Sequence, residues 1–536
     1  MVASAESLHA LERVVLVLLV MVAAFAVIAH RLKVPYPIVL VLAGLVLSFS
    51  QHVPHIPLDP NLVFAIFLPP LLYGSAWTVS WREFRQNAFV LALLAVGLVG
   101  FTVWGVAEFS DRFITALDWK AGFLLGAVVS TTDAIAATSV AHALGLPRRV
   151  VDILEGESLL NDATGLLALE IGLSLLARGD LPTVGEGLAR LTYLIVAGLV
   201  VGLLLGVVVG WLERYIDNGP VEVVLSLIVP YAAYLAGEEA KASGVLAVVA
   251  CGLYMSRRSA TFFSPGVRIQ VKGAWEAMTF VLNGIVFALI GLQMPYVLAG
   301  IRGDYSILTL VRYGAVFSAM LIALRMVWVL PALKLANFIG RLQGLKKATS
   351  GRESLVIGWT GMRGVLALAA AVSVPEMIND KPFGPRNLIV FVTFSVILVT
   401  LVLQGLTLPS VIRALGLAGQ TGMGPEERNA RKVALEEALE YLRSKRHEAG
   451  EVHSHAFEDV IDRYRRRLEA LGEDEARKES AVETTQTVIR LSKGALRRQR
   501  SAMIRMRNEG RISDDVLRTV ERELDLEESR YLLRKS

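Results

Sequence analysis

Apolar runs of about twenty residues, free of charge, recur through this 536-residue chain as far as Arg413. A helix needs about 20 such residues to cross the hydrocarbon core of a bilayer. Hydrophobic residues make up 54% of the chain, above the roughly 45–50% usual in soluble domains. The pattern implies an all-α polytopic membrane protein. About thirteen spanning segments are expected, near 12–30, 35–50, 61–79, 86–108, 120–143, 149–177, 190–213, 219–236, 243–256, 273–293, 308–336, 353–374 and 386–413.

Charge orients these segments. With the N-terminus outside, the inside loops hold about sixteen Lys and Arg, Lys346 and Lys347 among them. The outside loops hold about nine, Arg302 among them. That is the bias of cytoplasmic loops, and an odd number of spans then leaves the C-terminus inside. The net charge of +5 reflects this bias rather than nucleic-acid binding. Glu6, Glu12 and Arg13 precede the first apolar run, and no small-residue cleavage site follows it, so Val14 to Ala29 is expected to stay as a helix. The single cysteine, Cys251, excludes an internal disulfide framework.

From about Gln420 to Ser536 the composition turns charged, with acidic and basic residues nearly balanced. Val433, Leu435, Leu439 and Leu442, then Ile461, Tyr464, Leu468 and Leu471, recur at helical spacing. Residues 1–418 therefore read as the membrane domain and 419–536 as a cytoplasmic bundle of amphipathic helices. The basic clusters Arg463–Arg467 and Arg497–Arg500 suit a solvated face, anionic lipid or a regulatory ligand, and the sequence does not name that ligand.

Carboxylates at membrane depth mark the functional region. The sixth segment contains Glu157-Ser158-Leu159-Leu160-Asn161-Asp162, and the fifth contains Val129-Ser130-Thr131-Thr132-Asp133. A charge at the bilayer centre costs about 2.5–3.5 kcal/mol or more, so something positive must reach these groups. Ser158 and Asp162 lie four apart on one helical face, and Glu157 and Asn161 form the adjacent stripe. Hard monovalent cations favour such oxygen ligands. A desolvated carboxylate also takes up protons more readily than one in water. Asp162 is thus the candidate carrier of cation or proton. Asp133, Ser158 and the Thr132 hydroxyl or carbonyl would complete the cation shell.

Arg363 lies deep in the twelfth segment, within Gly358-Trp359-Thr360-Gly361-Met362-Arg363-Gly364. Buried charges pair, and Arg suits a carboxylate. A Glu157–Arg363 salt bridge is expected, leaving Asp162 free. The alternative is that Arg363 itself gates or competes with the cation. Small polar residues at 129–133 and glycines around Arg363 both suit broken helices that line a polar site. Their corresponding places in segments four to six and eleven to thirteen suggest an inverted-repeat transporter. Phe67-Leu68-Pro69-Pro70-Leu71-Leu72 reads as a proline kink. The eight histidines show no metal-ligand spacing. No phosphate-binding loop, G-x-S-x-G elbow or H-E-x-x-H is present, so ATP-driven transport and common hydrolytic chemistry lose support, and no cofactor is implied.

Taken together, Thr132-Asp133, Glu157-Ser158 with Asn161-Asp162, Gly361-Met362-Arg363-Gly364 and the Phe67–Leu72 run resemble the cation/proton antiporter 1 family, in particular bacterial sodium/proton antiporters of the NhaP type with a C-terminal extension. The resemblance covers roughly residues 10–415. It implies thirteen helices, divided between a six-helix core near 86–177 and 308–413 that moves like an elevator and a dimerisation part near 12–79 and 190–293. It implies that Asp162 binds ion and proton, assisted by Asp133, Ser158 and the Thr132 carbonyl. Glu157 is bridged to Arg363, and Asn161 holds the broken helices together, with Thr131 beside them. Asn161 before Asp162 resembles the electroneutral branch. Where many relatives carry Pro-Val after Thr132-Asp133, this chain has Ala134-Ile135.

The expected function is therefore exchange of Na+ or Li+ for H+ across a bacterial plasma membrane by a homodimer. K+/H+ exchange by the same mechanism is the alternative. A passive cation channel and a membrane pH sensor are the competing classes; neither would show proton–cation exchange. No enzymatic activity is expected.

Overall fold

A computed structural model describes residues 2–50, 60, 63–79, 81–178, 183–216, 218–301, 303, 305–342, 349–419, 425–448, 454–471, 475–509 and 511–532. Arg302, Lys346, Lys347, Gln420 and the first two residues of the third expected segment lie outside them. Two compact units divide the chain at Thr421/Gly422.

The first unit is built from helices. α1 (Val2–Leu32) and α2 (Tyr36–Leu47) are followed by α3 (Val63–Thr78), which opens with a π-helical turn at Val63–Phe67. Pro69 and Pro70 come just after that turn. Proline lacks the N–H that an inner helical turn needs, and a widened turn absorbs the lost bond. Next come α4 (Trp81–Gln86), α5 (Ala88–Phe113), α6 (Trp119–Ser130), α7 (Ile135–Leu144) and α8 (Arg148–Arg178). α9 (Val184–Leu212) ends in a 3-10 turn at Glu213–Tyr215, and α10 (Gly219–Glu239), α11 (Gly244–Phe262), α12 (Pro265–Leu292) and α13 (Met294–Ile301) follow.

The unit continues with α14 (Ile307–Leu342), α15 (Gly351–Trp359) and α16 (Val365–Val372). A hairpin of β1 (Met377–Ile378) and β2 (Lys381–Pro382) pairs antiparallel and leads to α17 (Arg386–Ala414), which carries a π-helical turn at Thr400–Gln404. Among the described residues nine helices are long and apolar enough to cross a membrane, and two shorter apolar helices span Tyr36–Leu47 and Val63–Thr78.

Two apolar clusters organise this unit. The larger one runs through α2, α5, α6, α7, α8, α14, α16 and α17. The second joins α3, α10, α11 and the first half of α12, around Tyr73, Cys251 and Trp275. Leu159 of α8 and Leu366 of α16 belong to the second cluster, so the functional helices are seated against both.

The fifth and twelfth expected segments are each broken. α6 stops at Ser130 and α7 starts at Ile135; α15 stops at Trp359 and α16 starts at Val365. Consecutive polar residues in the first gap and glycines in the second leave the backbone free to turn outward.

The second unit consists of α18 (Pro425–Glu448), α19 (Ser454–Glu469), α20 (Glu475–Asn508) and α21 (Asp514–Leu532). Leu439, Ile461, Leu496, Leu517 and Leu524 are buried in it. Arg500 bridges Asp525 and Glu528 at 2.6 and 3.1 Å, tying α20 to α21.

Candidate functional site

The two helix breaks meet. The Asp133 N–H donates to the Met362 carbonyl at 2.8 Å, so the extended strands of both breaks cross beside α8. Each break exposes helix ends, whose last carbonyls carry partial negative charge and whose first N–H groups carry partial positive charge. Charged side chains meet them. Arg363 Nε donates to the Val129 carbonyl at the end of α6, 2.9 Å away. Its Nη1 donates to Gly361 O, and its backbone N–H reaches Thr400 Oγ1 at 3.2 Å. Arg325, from the middle of α14, donates through Nε and Nη2 to the Ile357 carbonyl near the end of α15, at 3.3 and 3.1 Å. The Asp133 carboxylate accepts from the Ile135 N–H at the start of α7, at 2.8 Å.

α8 packs its polar stripe onto this crossing. Glu157, fully buried, is gripped by Arg325: Nη1 lies 2.5 Å from Oε1 and Nη2 2.9 Å from Oε2. This corrects the pairing expected from sequence. Arg363 is occupied with backbone carbonyls, and the partner of Glu157 comes from α14 instead. The Arg363 guanidinium is turned toward a carbonyl of each break, Val129 O and Gly361 O, whereas Arg325 reaches α8 with both terminal nitrogens.

Thr132 sits at the centre of a hydrogen-bond relay. Its hydroxyl donates to Glu157 Oε1 at 3.2 Å and accepts from Asn161 Nδ2 at 2.6 Å. Its carbonyl accepts from Ser158 Oγ at 2.9 Å, and Ser158 Oγ in turn accepts from the Ala134 N–H at 3.4 Å. Thr132, Ser158 and Asn161 thus join α8 to the first break, with Thr131 buried beside them.

Asp162 is different. Among the described residues its carboxylate has no hydrogen-bond or ion-pair partner. It is half-buried and faces a cavity of about 110 Å³ that it shares with Asp133, Ser158, Thr131, Thr132 and Gly364. Leu68, Leu71 and Leu72 of the proline-kinked α3 form an apolar wall. The eight residues singled out from the sequence therefore converge. Six of them line the cavity or join α8 to the breaks, while Glu157 and Arg363 act as structural charges with different partners from those expected.

Sequence reasoning missed two members. Arg325 was legible as the lone charge in an otherwise apolar stretch, Leu324-Arg325-Met326. Glu155 lines the cavity as well and accepts from Thr78 Oγ1 at 3.1 Å; its signal was a third acid in the same two turns of α8.

Charge at the crossing does not balance. Asp133, Glu157 and Asp162 face Arg325 and Arg363, leaving one negative charge in excess. An unpaired charge at this depth is costly unless a proton or a cation neutralises it. The oxygen-only donor set suits a hard monovalent cation.

The model for the family described as sodium/hydrogen exchanger, transmembrane, matches residues 15–414. A Mycobacterium tuberculosis protein named an uncharacterised Na+/H+ exchanger is 34% identical, over 97% of this chain and 96% of its own length. The Na+/H+ antiporter ApNhaP of Aphanothece halophytica is 32% identical, over 76% and 75%. The solved structure of the sodium proton antiporter MjNhaP1 from Methanocaldococcus jannaschii superposes with a TM-score of 0.56 at 21% identity, covering 75% of this chain and 97% of that one, a likeness of fold.

Proposed function

Because the chain belongs to the transmembrane sodium/hydrogen exchanger family, we propose that it is a secondary active antiporter. It exchanges Na+ or Li+ for H+, one for one, with Asp162 binding either ion in turn. The observation that carries this reading is the Asp162 carboxylate, unpartnered among the described residues and facing a small oxygen-lined cavity beside a crossing where Asp133, Glu157 and Asp162 outnumber Arg325 and Arg363 by one. A cation or a proton neutralises that excess equally, so the loaded site is electrically the same in both directions of transport. The same site accepts K+ if its oxygens can spread to the larger ion.

The carrier would work by alternating access. Residues near 86–177 and 308–413 move as a core against residues near 12–79 and 190–293, which also pair two copies of the chain. An apolar cleft of about 770 Å³ lies between Leu160, Ala163 and Leu167 of α8 and Leu194, Leu203 and Val249 of α9 and α11. Its walls are mostly apolar, and the directional bond across this seam from Arg190 of α9 to Glu170 of α8 is a partly exposed ion pair at 3.5 Å, a weak tie of the kind that supports sliding. The loop charges favour an outside N-terminus and a cytoplasmic second unit in a bacterial plasma membrane.

Purified protein in liposomes containing a pH dye tests the proposal, with Na+, Li+ or K+ added outside. Proton flux that names its cation, persists under clamped voltage and disappears in Asp162→Asn is the expected result. Flux undiminished in Asp162→Asn, or none with any of the three cations in folded protein, overturns it.

A further inference from the structure

The cavity that holds Asp162 runs past its expected ligands. Glu155, Ser158, Leu159 and Asp162 all line it, and residues spaced i, i+3, i+4 and i+7 share one face of a helix. The cavity therefore follows α8 for two turns, about 10 Å at 1.5 Å per residue. Leu68, Leu71, Leu72 and Ser75 line it from α3 at the same spacing. It is a groove between two helices, with Glu155 and Asp162 on the α8 wall and the Ser158 hydroxyl between them. Glu155 is half-buried, and Thr78, the last residue of α3, is exposed. Thr78 Oγ1 donates to Glu155 Oε2 at 3.1 Å, so the groove reaches the surface at this pair. α8 begins at Arg148, two turns before Glu155.

We propose that Glu155 is the first binding stop of the transported cation on the cytoplasmic side, a role that rests on the antiporter reading above. A carboxylate at the mouth of a narrow groove with apolar walls concentrates cations there, because low-dielectric walls focus its field. Glu155 supplies that charge at the surface end. Ser158 then offers an oxygen one turn further in, and Asp162 one turn beyond it, so the ion passes from ligand to ligand along one helix face. The inside loops place the Arg148 end of α8 toward the cytoplasm. The bond to Thr78 ties the stop to that side. Thr78 belongs to the part that pairs two copies, and Glu155 to the core that moves against it. Displacement of the core parts the two residues, so the assembled mouth serves cytoplasmic cation only.

Two substitutions separate this role from a mere tie between α3 and α8. Glu155→Gln removes the charge, yet its amide oxygen can still accept from Thr78. Thr78→Val removes the bond and keeps the charge. The test uses inverted and right-side-out membrane vesicles of the full chain, which present Na+ or Li+ to opposite faces. Initial rates are taken at alkaline pH, where protons compete least. In Glu155→Gln the apparent KM at the cytoplasmic face is expected to rise about tenfold, with the maximal rate recovered at saturating cation and the outer-face KM unmoved. Glu155→Asp should recover part of that loss, and Thr78→Val should shift the same KM less than Glu155→Gln. An unmoved cytoplasmic KM in Glu155→Gln, a shift at the outer face or at both faces, or a larger effect in Thr78→Val overturns the role. If Glu155→Gln does not reach the membrane, Glu155→Asp decides by whether the cytoplasmic KM alone moves. Asp162→Asn measured alongside keeps the two readings apart. Exchange abolished there, with KM unmoved in Glu155→Gln, removes only the stop at Glu155; exchange that persists in Asp162→Asn removes the antiporter mechanism itself.

Discussion

Arg325 holds both carboxylate oxygens of Glu157, at 2.5 and 2.9 Å, across 168 residues of sequence. The pair is fully buried, and its removal from one side strands a charge. Arg325→Ala is expected to cost about 3–5 kcal/mol, read as a collapse of folded yield and Tm in detergent. Adding Glu157→Leu to Arg325→Met removes both charges and should recover most of that loss. A double variant no more stable than Arg325→Ala would mean the pair is not the source of the cost.

Arg363 serves backbone rather than a carboxylate. Its guanidinium satisfies Val129 O and Gly361 O. Arg363→Ala leaves those acceptors bare, at about 1–3 kcal/mol, and should be milder than Arg325→Ala when the two are melted side by side. Arg363→Lys, whose three N–H donors all sit on one nitrogen, cannot span both carbonyls as the guanidinium fork does and should fall between Arg363→Ala and wild type. The reverse order, with Arg363→Ala the more damaging, would return Glu157 to Arg363.

What the sequence made legible, and what it hid, follows from the range of each signal. The breaks at 131–134 and 360–364 announced themselves locally, through hydroxyls and glycines where a lipid-facing helix would have neither. The polar stripe Glu157, Ser158, Asn161 and Asp162 followed from helical spacing alone. The partner of Glu157 did not, because pairing between distant helices depends on where each guanidinium points. Arg363 stood out for its glycines, while Arg325 was one charge in a long apolar run.

Gly364 lets Asp133 approach the second break. A methyl group built there would meet the Asp133 carboxyl, Cβ included, while the Gly364 backbone, at φ −123 and ψ −160, is extended and open to alanine. Gly364→Ala should therefore displace Asp133 without unfolding the helices, at about 1–3 kcal/mol, and exchange should drop more steeply than stability. Adding Asp133→Ala relieves the crowding and should restore Tm but not exchange. If Gly364→Ala transports like wild type, Asp133 has no fixed place in the cation shell.

The division at Thr421/Gly422 separates two units with their own buried residues, Leu439, Ile461 and Leu496 among those of the second. All the residues of the proposed ion site belong to the first. A chain ended after Gly419 should keep cation-dependent proton flux in liposomes, though its response to pH can move. Loss of flux in a truncated protein that remains monodisperse would place part of the transport machinery in the second unit.

One carboxylate taking either ion makes proton and cation competitors. As pH falls, protons occupy Asp162 more often and the cation must be raised to displace them. By mass action the apparent KM for the cation climbs by up to about tenfold per pH unit on the acid side, while the maximal rate at saturating cation holds. Initial rates over a grid of pH and cation concentration measure both quantities. A channel gives no such linkage, because its cation moves without a proton leaving. A maximal rate that falls with acid while KM stays fixed would place the controlling proton on a group other than Asp162.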